Sequence, residues 1–196
     1  MYAAMLSLKG SKVTIIGGGK VAYRKARLLV EEECEIQVIA PKFIEAFKDL
    51  GPLVNRVYKN YEEGDCAGSI LVFAATDDRS LNEAVGLYCK RANILCNVVD
   101  NRALSSFSTP AQFKKGDLTI AISTGGNSPS LAAKIKEDLA NRYGDEYEDH
   151  IRLLGQLREQ VLKKEVDEIK RKECLNYIAT LNLEELKNYA KMYFIE

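Results

Sequence analysis

The stretch from Thr14 to Leu29, TIIGGGKVAYRKARLL, changes periodicity halfway, from an apolar run to a helical repeat, with three glycines at the junction. These glycines fit the pattern G-x-G-x-x-G/A between a strand and a helix. In such a turn the first glycine allows the tight bend and the second lets a pyrophosphate approach the main chain. The alternative is a merely tight strand-to-helix turn. The residues that we expect to bind a dinucleotide here are Gly17, Gly18, Gly19, Lys20, Val21 and Ala22.

Short β-rich runs alternate with helical stretches from Lys12 to about Val99. The predicted strands are VTII, IQVIA, VNRVY, ILVFAA and ILCNVV, and the predicted helices are VAYRKARLLVEEE, FIEAFKDL and SLNEAVGLYCKRA. This alternation predicts an α/β fold with a doubly wound parallel sheet of Rossmann type. In that topology the carboxyl ends of VTII, ILVFAA and ILCNVV lie along one crevice, where ligands bind.

Polar residues follow two of these strands at the expected crevice. After ILVFAA, Thr76 is expected to hydrogen-bond the nicotinamide half of a dinucleotide, whereas Asp77 or Asp78 is interpreted as a helix cap. Strand ILCNVV brings Asn97 and Asp100 to the same edge. A carboxylate there is a candidate general base, and a turn-forming aspartate in D-N-R is an equal alternative. The other expected cofactor-binding residues at the strand ends are Ala40 and Val98.

The end of the second strand lacks an expected feature. A carboxylate that binds the adenosine ribose should stand ~20 residues beyond the glycines. Instead the strand ends Ile39-Ala-Pro-Lys42. Lys42 would either meet a 2′-phosphate or be an ordinary surface lysine, so the sequence by itself does not choose between NAD and NADP.

The pattern changes after Asp100. A loop, NRALSSFSTPAQFKKG, leads to one predicted strand at about Asp117 to Ser123 and then to a second glycine turn, TGGNSPS. We expect Ser128 to cap the next helix, with Pro129 at its first position. This turn is a second anion-receptive helix start, or only a well-capped helix. The candidate residues for an acidic substrate are Ser123, Thr124, Gly125, Gly126 and Ser128.

The remainder of the chain is predicted to be mainly helical. Asn182 and Glu185 read as a capping box that opens a final short helix. His150 stands among charged helical residues and is interpreted as a surface histidine rather than a catalyst. Apolar residues recur near helical spacing at Ile135, Leu139, Ile151, Leu154, Leu157, Val161, Val166, Ile169, Leu175 and Ile178.

Composition excludes several classes of protein. Basic and acidic residues balance at 28 each, so no global field attracts nucleic acid or an anionic membrane. No apolar run approaches the ~18 residues of a membrane span, and the start lacks a signal peptide's features, so we expect a cytoplasmic protein. Five cysteines without a C-x-x-C pair, together with one histidine, favour reduced thiols over a metal site.

Several ordered segments between about Leu8 and Ala140 carry a family resemblance. They are GGGKVAYRKARLL, FAATDD, NVVD, SFSTPA and IAISTGGNSPSLA. On these segments the chain resembles the precorrin-2 dehydrogenase and sirohydrochlorin ferrochelatase family, which includes the amino-terminal part of siroheme synthases. The resemblance implies a homodimer whose subunits have an NAD-binding Rossmann domain (1–112), a dimerisation region (113–145) and a small helical domain (146–196).

The resemblance also implies an activity, the NAD-dependent oxidation of precorrin-2 to sirohydrochlorin on the path to siroheme or cobalamin. It makes Asp100 of NVVD the catalytic residue and places the second glycine turn by the tetrapyrrole, with Thr124 where a serine is common. Some members also insert iron or cobalt. The scarcity of histidine favours dehydrogenation alone, although Asp100 would serve both reactions. A non-catalytic module that senses NAD is the alternative of another class, which explains the glycines but not Asp100.

Overall fold

The computed structural model describes residues 2–194. They form two compact units, a first that ends at Thr109 and a second that begins at Pro110, called unit 1 and unit 2 below. The resemblance places this boundary after residue 112, and its further division at residue 145 stays a prediction. Residues 1, 195 and 196, which the predicted domains include, lie outside the described residues.

Unit 1 is a parallel five-stranded sheet with helices on both faces, as the alternating pattern predicts. The strand order is β3-β2-β1-β4-β5, so the carboxyl ends of β1, β4 and β5 are neighbours. The elements are β1 (Lys12–Ile16), α1 (Lys20–Leu29), β2 (Glu35–Ala40), β3 (Val54–Tyr58), β4 (Leu71–Ala74), α2 (Arg79–Arg91) and β5 (Leu95–Val98).

Two apolar layers hold the sheet between its helices. On one face Val13 and Ile15 of β1 pack in a cluster with Ala22 and Ala26 of α1. On the other face Ile16 packs in a cluster with residues of α2. Because both faces are covered, every side chain of β4 is buried, which explains why these strands read as continuous apolar runs rather than as alternating ones.

One predicted helix of unit 1 has a different form. FIEAFKDL was predicted as a regular helix, but the segment Glu45–Leu53 is a 3-10 helix interrupted at Gly51, which has φ +54°. Pro52 follows at once, and proline has no N–H to donate and disfavours the α conformation of the residue before it. A continuous α-helix therefore cannot extend through this segment into β3.

The five cysteines all lie among residues 2–194, and no disulfide joins any of them. Cys66, Cys89 and Cys96 are buried together on the α2 face of the sheet, while Cys34 and Cys174 are partly exposed. A hydrogen bond with Cys89, and then burial, raise the pKa of the Cys66 thiol. A hydrogen bond with Cys89, and then burial, also raise the pKa of the Cys96 thiol, and buried thiols with a raised pKa are poor nucleophiles, so Cys66 and Cys96 serve the core.

Unit 2 begins with an antiparallel hairpin of β6 (Ala111–Lys115) and β7 (Leu118–Ile122). The prediction of a single strand here was wrong, because β6 was assigned to the preceding loop. The signal was present: AQFKK alternates between half-buried and exposed side chains, and Gly116-Asp117 forms a two-residue turn with φ +53° at Gly116.

In the part of unit 2 that the structure describes, four helices follow the hairpin: α3 (Pro129–Arg142), α4 (Glu146–Lys164), α5 (Glu168–Ile178) and α6 (Leu183–Phe194). Leu157, Ile178 and Leu186 are the centre of a core shared by α4, α5 and α6, whereas α3 packs on the hairpin. Val166 and Ile169 lie outside that core, although their spacing grouped them with it, and Val166 is 87% exposed. No helix among residues 2–194 has the length and apolarity that crossing a membrane requires.

Candidate functional site

The first two glycines of the turn after β1 pack directly on neighbouring main chain. Gly17 has φ +129°, and a Cβ there would lie 2.3 Å from the carbonyl oxygen of Ala75. A Cβ on Gly18 would lie 2.0 Å from the carbonyl oxygen of Lys42. Both distances are far inside van der Waals contact. The turn therefore sits between the ends of β4 and β2 and has no room for side chains at these two positions.

Gly19 is different, because the protein's own packing does not require it to be a glycine. It is the N-cap residue of α1 with φ −89° and ψ −171°, and no protein atom lies within 4 Å of the place where its Cβ would be. The open space adjoins the first turn of α1, whose N–H groups have no partner within the helix and whose residues include no acid. Open space, free donors and the positive end of a helix fit a phosphate group.

The end of β2 packs against the glycine turn. Ala40 is buried, and its Cβ lies 3.0 Å from where a Cβ on Gly18 would be. Lys42 has its main chain against the turn and its side chain exposed. The geometry therefore brings Ala40 next to the glycine turn, and Lys42 is the charged side chain that follows it.

Thr76, after β4, forms its polar contacts with the loop that contains it and with the first turn of α2. The buried amide of Asn82 accepts hydrogen bonds from the Thr76 N–H (3.0 Å) and hydroxyl (2.8 Å), and it donates one to the Thr76 carbonyl (3.0 Å). The Thr76 hydroxyl has a second acceptor within reach in the Asp78 carbonyl (3.0 Å). A hydrogen bond from this hydroxyl to a ligand, as expected from the sequence, would have to replace one of these bonds.

The interpretation of Asp78 as a helix cap is confirmed. Its carboxylate accepts hydrogen bonds from the N–H groups of Ser80 (2.8 Å) and Leu81 (3.2 Å) at the start of α2. Capping needs only residues within one turn of each other, which is why the sequence was sufficient to identify it.

Asp100 lies two residues beyond the end of β5 and lines a cavity of about 460 Å³. Its side chain is 26% exposed, and Oδ2 is 4.0 Å from Nε of Arg79, which is 91% exposed. The residues that line the cavity are Asn97, Val98, Val99, Asp100, Asn101, Arg102, Ser105, Ser106, Phe107 and Ser108. The sheet thus brings together Asn97, Val98 and Asp100, three of the residues singled out in the sequence.

The neighbour of Asp100 forms the turn that follows. Asn101 accepts hydrogen bonds from the N–H groups of Ala103 and Leu104 and so caps the short 3-10 helix Arg102–Leu104. The turn in D-N-R is therefore stabilised by the amide of Asn101. This leaves the Asp100 carboxylate at the cavity, with Arg79 beside it.

Two serines that the sequence reasoning missed form one wall of this cavity. The Ser105 hydroxyl accepts from the Val98 N–H (2.9 Å), and the Ser106 hydroxyl accepts from the Cys96 N–H (2.8 Å). Both hydroxyls also lie within hydrogen-bond distance of the carbonyls of the same strand residues. These serine hydroxyls bond main-chain groups along the edge of β5, as a sixth strand would. In the sequence, the Ser-Ser pair that follows NVVD is the feature that could have indicated these contacts.

The second glycine turn, in unit 2, is closed by its own hydroxyl groups. Thr124 Oγ1 accepts from the Ser128 N–H (3.1 Å) and donates to the Ser128 carbonyl (3.0 Å). The Ser128 side chain accepts from the Leu131 N–H (3.2 Å), and α3 begins at Pro129, so the predicted cap is confirmed. Gly125 and Gly126 have φ +63° and +84°, values that favour glycine.

His150 is not the surface histidine that was expected. It is half-buried in α4, and its Nε2 is buried without a hydrogen-bond partner among the described residues. Its ring lies 5.7 Å from that of Tyr147, one turn earlier. Charged neighbours in the sequence suggested exposure, but packing in the fold half-buries this position of α4. Among residues 2–194 no group of three or more His, Cys, Asp or Glu side chains could hold a metal ion.

Comparisons with known proteins agree with these features. A family model described as putative NAD(P)-binding matches residues 4–111, and one described as sirohaem biosynthesis protein central matches residues 115–142. A precorrin-2 dehydrogenase of Priestia megaterium is 33% identical over 182 residues, which are 91% of this chain and 89% of that protein. The solved structure of SirC, a precorrin-2 dehydrogenase, has 29% identity and a TM-score of 0.82, covering 98% of each chain.

Longer relatives match as well. The siroheme synthase of Pseudomonas fluorescens (strain SBW25) is 37% identical over 157 residues, which are 79% of this chain and 34% of that protein. A siroheme synthase of Gluconacetobacter diazotrophicus is 39% identical over 142 residues, 69% of this chain and 30% of that protein. The chain therefore spans about a third of the length of the siroheme synthases it matches.

Proposed function

Since this chain belongs to the family of precorrin-2 dehydrogenases and siroheme synthases, we propose that it oxidises precorrin-2 to sirohydrochlorin with a nicotinamide dinucleotide. The observation that carries the proposal is the carboxylate of Asp100 at a cavity of about 460 Å³. That cavity opens at the same edge of the sheet as the glycine turn, because β1, β4 and β5 are parallel neighbours.

The first glycine turn is the proposed binding site of the dinucleotide pyrophosphate. The open space at Gly19 and the N–H groups of Lys20, Val21 and Ala22 at the start of α1 would hold it. When bound, the nicotinamide ring supplies the hydride acceptor. The proposed contacts along the rest of the crevice are Ala40, Thr76, Asn97 and Val98. Thr76 would contribute mainly its methyl group, because its N–H, hydroxyl and carbonyl already bond Asn82.

Asp100 is proposed to take the proton. Oxidation of a reduced tetrapyrrole by two electrons removes one hydride from a carbon centre and one proton, so a group that accepts the proton is required. A carboxylate that lines the cavity, with Arg79 Nε 4.0 Å away, can accept that proton. The proton then passes to solvent at the exposed side of the carboxyl group.

NAD is proposed as the dinucleotide, on the ground of the family resemblance. The lack of a carboxylate at the end of β2, and the exposed Lys42 beside the turn, do not repel a 2′-phosphate, so a direct comparison of NAD with NADP is required. The binding domain itself is of the NAD(P) type.

Unit 2 is proposed to bind the acidic side chains of the tetrapyrrole and to form a homodimer. The residues Ser123, Thr124, Gly125, Gly126 and Ser128 precede the N-terminus of α3, where anions are stabilised. Because hydroxyl groups of Thr124 and Ser128 already close the turn, the N–H of Gly126 is the proposed donor to a substrate carboxylate. The Gly125 N–H donates to the Ser123 hydroxyl (3.2 Å) and would have to exchange that bond for one to the substrate.

The decisive experiment is anaerobic incubation of the protein with precorrin-2 and either NAD or NADP, following the absorbance of sirohydrochlorin. We expect product with NAD at a higher kcat/KM than with NADP. Absence of product with both dinucleotides, in a protein that binds NAD by calorimetry, would favour the NAD-sensing module instead. Product with NADP alone would correct the choice of dinucleotide and assign Lys42 to the 2′-phosphate.

A further inference from the structure

Lys25 of α1 holds its ammonium group against the sheet. Nζ donates a hydrogen bond to Oγ1 of Thr109 (2.9 Å) and lies 5.3 Å from the centre of the Phe73 ring. Burial, and then the neighbouring Arg24, lower the pKa of this lysine. Among residues 2–194 no carboxylate pairs with it, so a hydroxyl group and an aromatic face are its partners.

This placement does not favour stability. Removing an ammonium group from water costs free energy unless a counter-charge compensates, and the described partners of Lys25 are neutral. Apolar side chains of similar volume are often as stable or more stable at such positions. The role of Lys25 therefore lies in the segment that its hydrogen bond holds in place.

The hydrogen bond ends on the segment that walls the Asp100 cavity. Ser105 and Ser106 fix the start of this segment to β5. In its middle, the Phe107 carbonyl accepts from Nδ2 of Asn97 (3.1 Å), and the Phe107 ring lies 5.4 Å from that of Phe73. The wall continues to Ser108, and Thr109 follows it directly.

Lys25 thus connects the two halves of the site. Its helix, α1, begins at the glycine turn proposed for the pyrophosphate. Its hydrogen bond reaches the far end of the wall beside Asp100. The serines and Asn97 tie the same wall to β5, but they have no bond to the dinucleotide-binding helix.

We propose that Lys25 is a positioning residue for the oxidation: through Thr109 it holds the Phe107–Thr109 end of the cavity wall against α1, so that the substrate pocket keeps its shape beside the bound dinucleotide. The identity of the substrate rests on the proposed function, but the positioning does not. The ammonium group acts through Thr109 and does not itself touch the reacting atoms.

The test is a double-mutant cycle of Lys25→Met and Thr109→Val. Each single variant should lower kcat/KM for precorrin-2 by about tenfold, the usual effect of one lost hydrogen bond to a charged group, mainly through KM. The double variant should lose no more than either single variant, because both remove the same bond. The matched control is Arg24→Met, which removes an exposed cation from the same helix and should keep native turnover.

Two further readouts separate positioning from a general loss of structure. Lys25→Met should melt no lower than the wild type and should bind NAD with unchanged affinity, since the glycine turn is untouched. Amide hydrogen exchange at Phe107, Ser108 and Thr109 should become faster in both single variants. This last readout does not depend on turnover, so it decides the inference even if the protein fails to oxidise precorrin-2.

Three results would overturn the proposal. Unchanged exchange at the wall in both variants would show that the bond does not hold it. Multiplicative losses in the double variant, or a much larger loss for Lys25→Met than for Thr109→Val, would show that the ammonium group acts through another contact. Native kcat/KM in Lys25→Met would remove any role in the reaction.

Discussion

At the scale of single residues, Asp100 and Asn101 show how neighbours in one turn take different tasks. Both residue types favour turns because their side chains bond nearby main chain, so the sequence D-N-R did not say which of them forms this one. Asn101 accepts the two N–H groups of the 3-10 helix, and the carboxylate of Asp100 stays at the cavity. Asp100 can therefore act as a base without breaking any hydrogen bond that stabilises the turn.

Asp100→Asn should lower turnover by ~10²- to 10⁴-fold, the contribution of a general base, because an amide keeps the size of the side chain but cannot accept the proton. Asp100→Ala should be at least as inactive. Both variants should bind NAD like the wild type, since the pyrophosphate is held at α1. Steady-state kinetics with precorrin-2 and calorimetric titration with NAD measure the two effects.

Asp49→Asn is the control for this substitution, because Asp49 is an exposed carboxylate in the 3-10 helix between β2 and β3. It should retain native turnover. Near-native turnover in Asp100→Asn would instead make Asp100 a turn residue, and the base would then have to be solvent or one of the substrate's own carboxylates.

Gly19→Ala and Gly17→Ala should separate binding from folding. A methyl group at position 19 meets no protein atom and needs no unusual φ, so stability should be unchanged while NAD binding weakens about tenfold or more, about 1.4 kcal/mol. At position 17 the φ of +129° and the Ala75 carbonyl should lower the free energy of unfolding by on the order of 1–3 kcal/mol or more.

Urea unfolding and calorimetric titration with NAD distinguish these two outcomes. Gly19→Asp should bind even less, because it places a carboxylate against a phosphate. If Gly19→Ala bound NAD with native affinity, the open space at α1 would not be where the pyrophosphate lies.

At the scale of elements, the helix starts follow from local chemistry. Asn182 donates its N–H to Glu185 (2.9 Å) and accepts from the Glu185 N–H (3.0 Å), so the predicted capping box is confirmed. Ser128 and Asp78 cap their helices in the same way. All these bonds join residues within three positions, a distance over which sequence determines geometry.

Ser128→Ala should lower the stability of unit 2 by about 1 kcal/mol, the usual cost of removing an N-cap side chain. Ser130→Ala, an exposed position within the first turn of α3, is the matched control and should change stability little. Chemical unfolding followed by circular dichroism measures both. Equal stability of the two variants would mean that the Thr124 hydroxyl closes the turn without Ser128.

At the scale of the whole molecule, unit 2 has apolar side chains that its own fold covers only in part. The hairpin side chains Leu118, Ile120 and Ile122 are only half-buried, and Leu131 of α3 is 50% exposed. A two-stranded sheet is marginally stable by itself in water. A second copy that covers this surface would bury it, as the family resemblance implies.

Light scattering at micromolar concentration should therefore give twice the subunit mass of 21.9 kDa. Ile120→Glu should shift the protein towards the monomer, because a buried carboxylate at an interface is costly. Val166→Glu changes a more exposed apolar residue outside the hairpin and should leave the dimer intact. A monomeric wild type would contradict the homodimer.

The sequence by itself determined the features that depend on residues close in the chain: the strand and helix pattern of unit 1, the glycine turn, the caps, and Asp100 at the end of a strand. The hairpin was also readable from its Gly116-Asp117 turn. Three sets of hydrogen bonds were decided only by the tertiary structure. They join the Thr76 hydroxyl to Asn82, the Ser105 and Ser106 hydroxyls to the edge of β5, and Lys25 to Thr109. The physical reason is that such contacts depend on where the sheet brings separate segments together, and Lys25 and Thr109 are 84 residues apart. No periodicity or propensity within either segment encodes that approach.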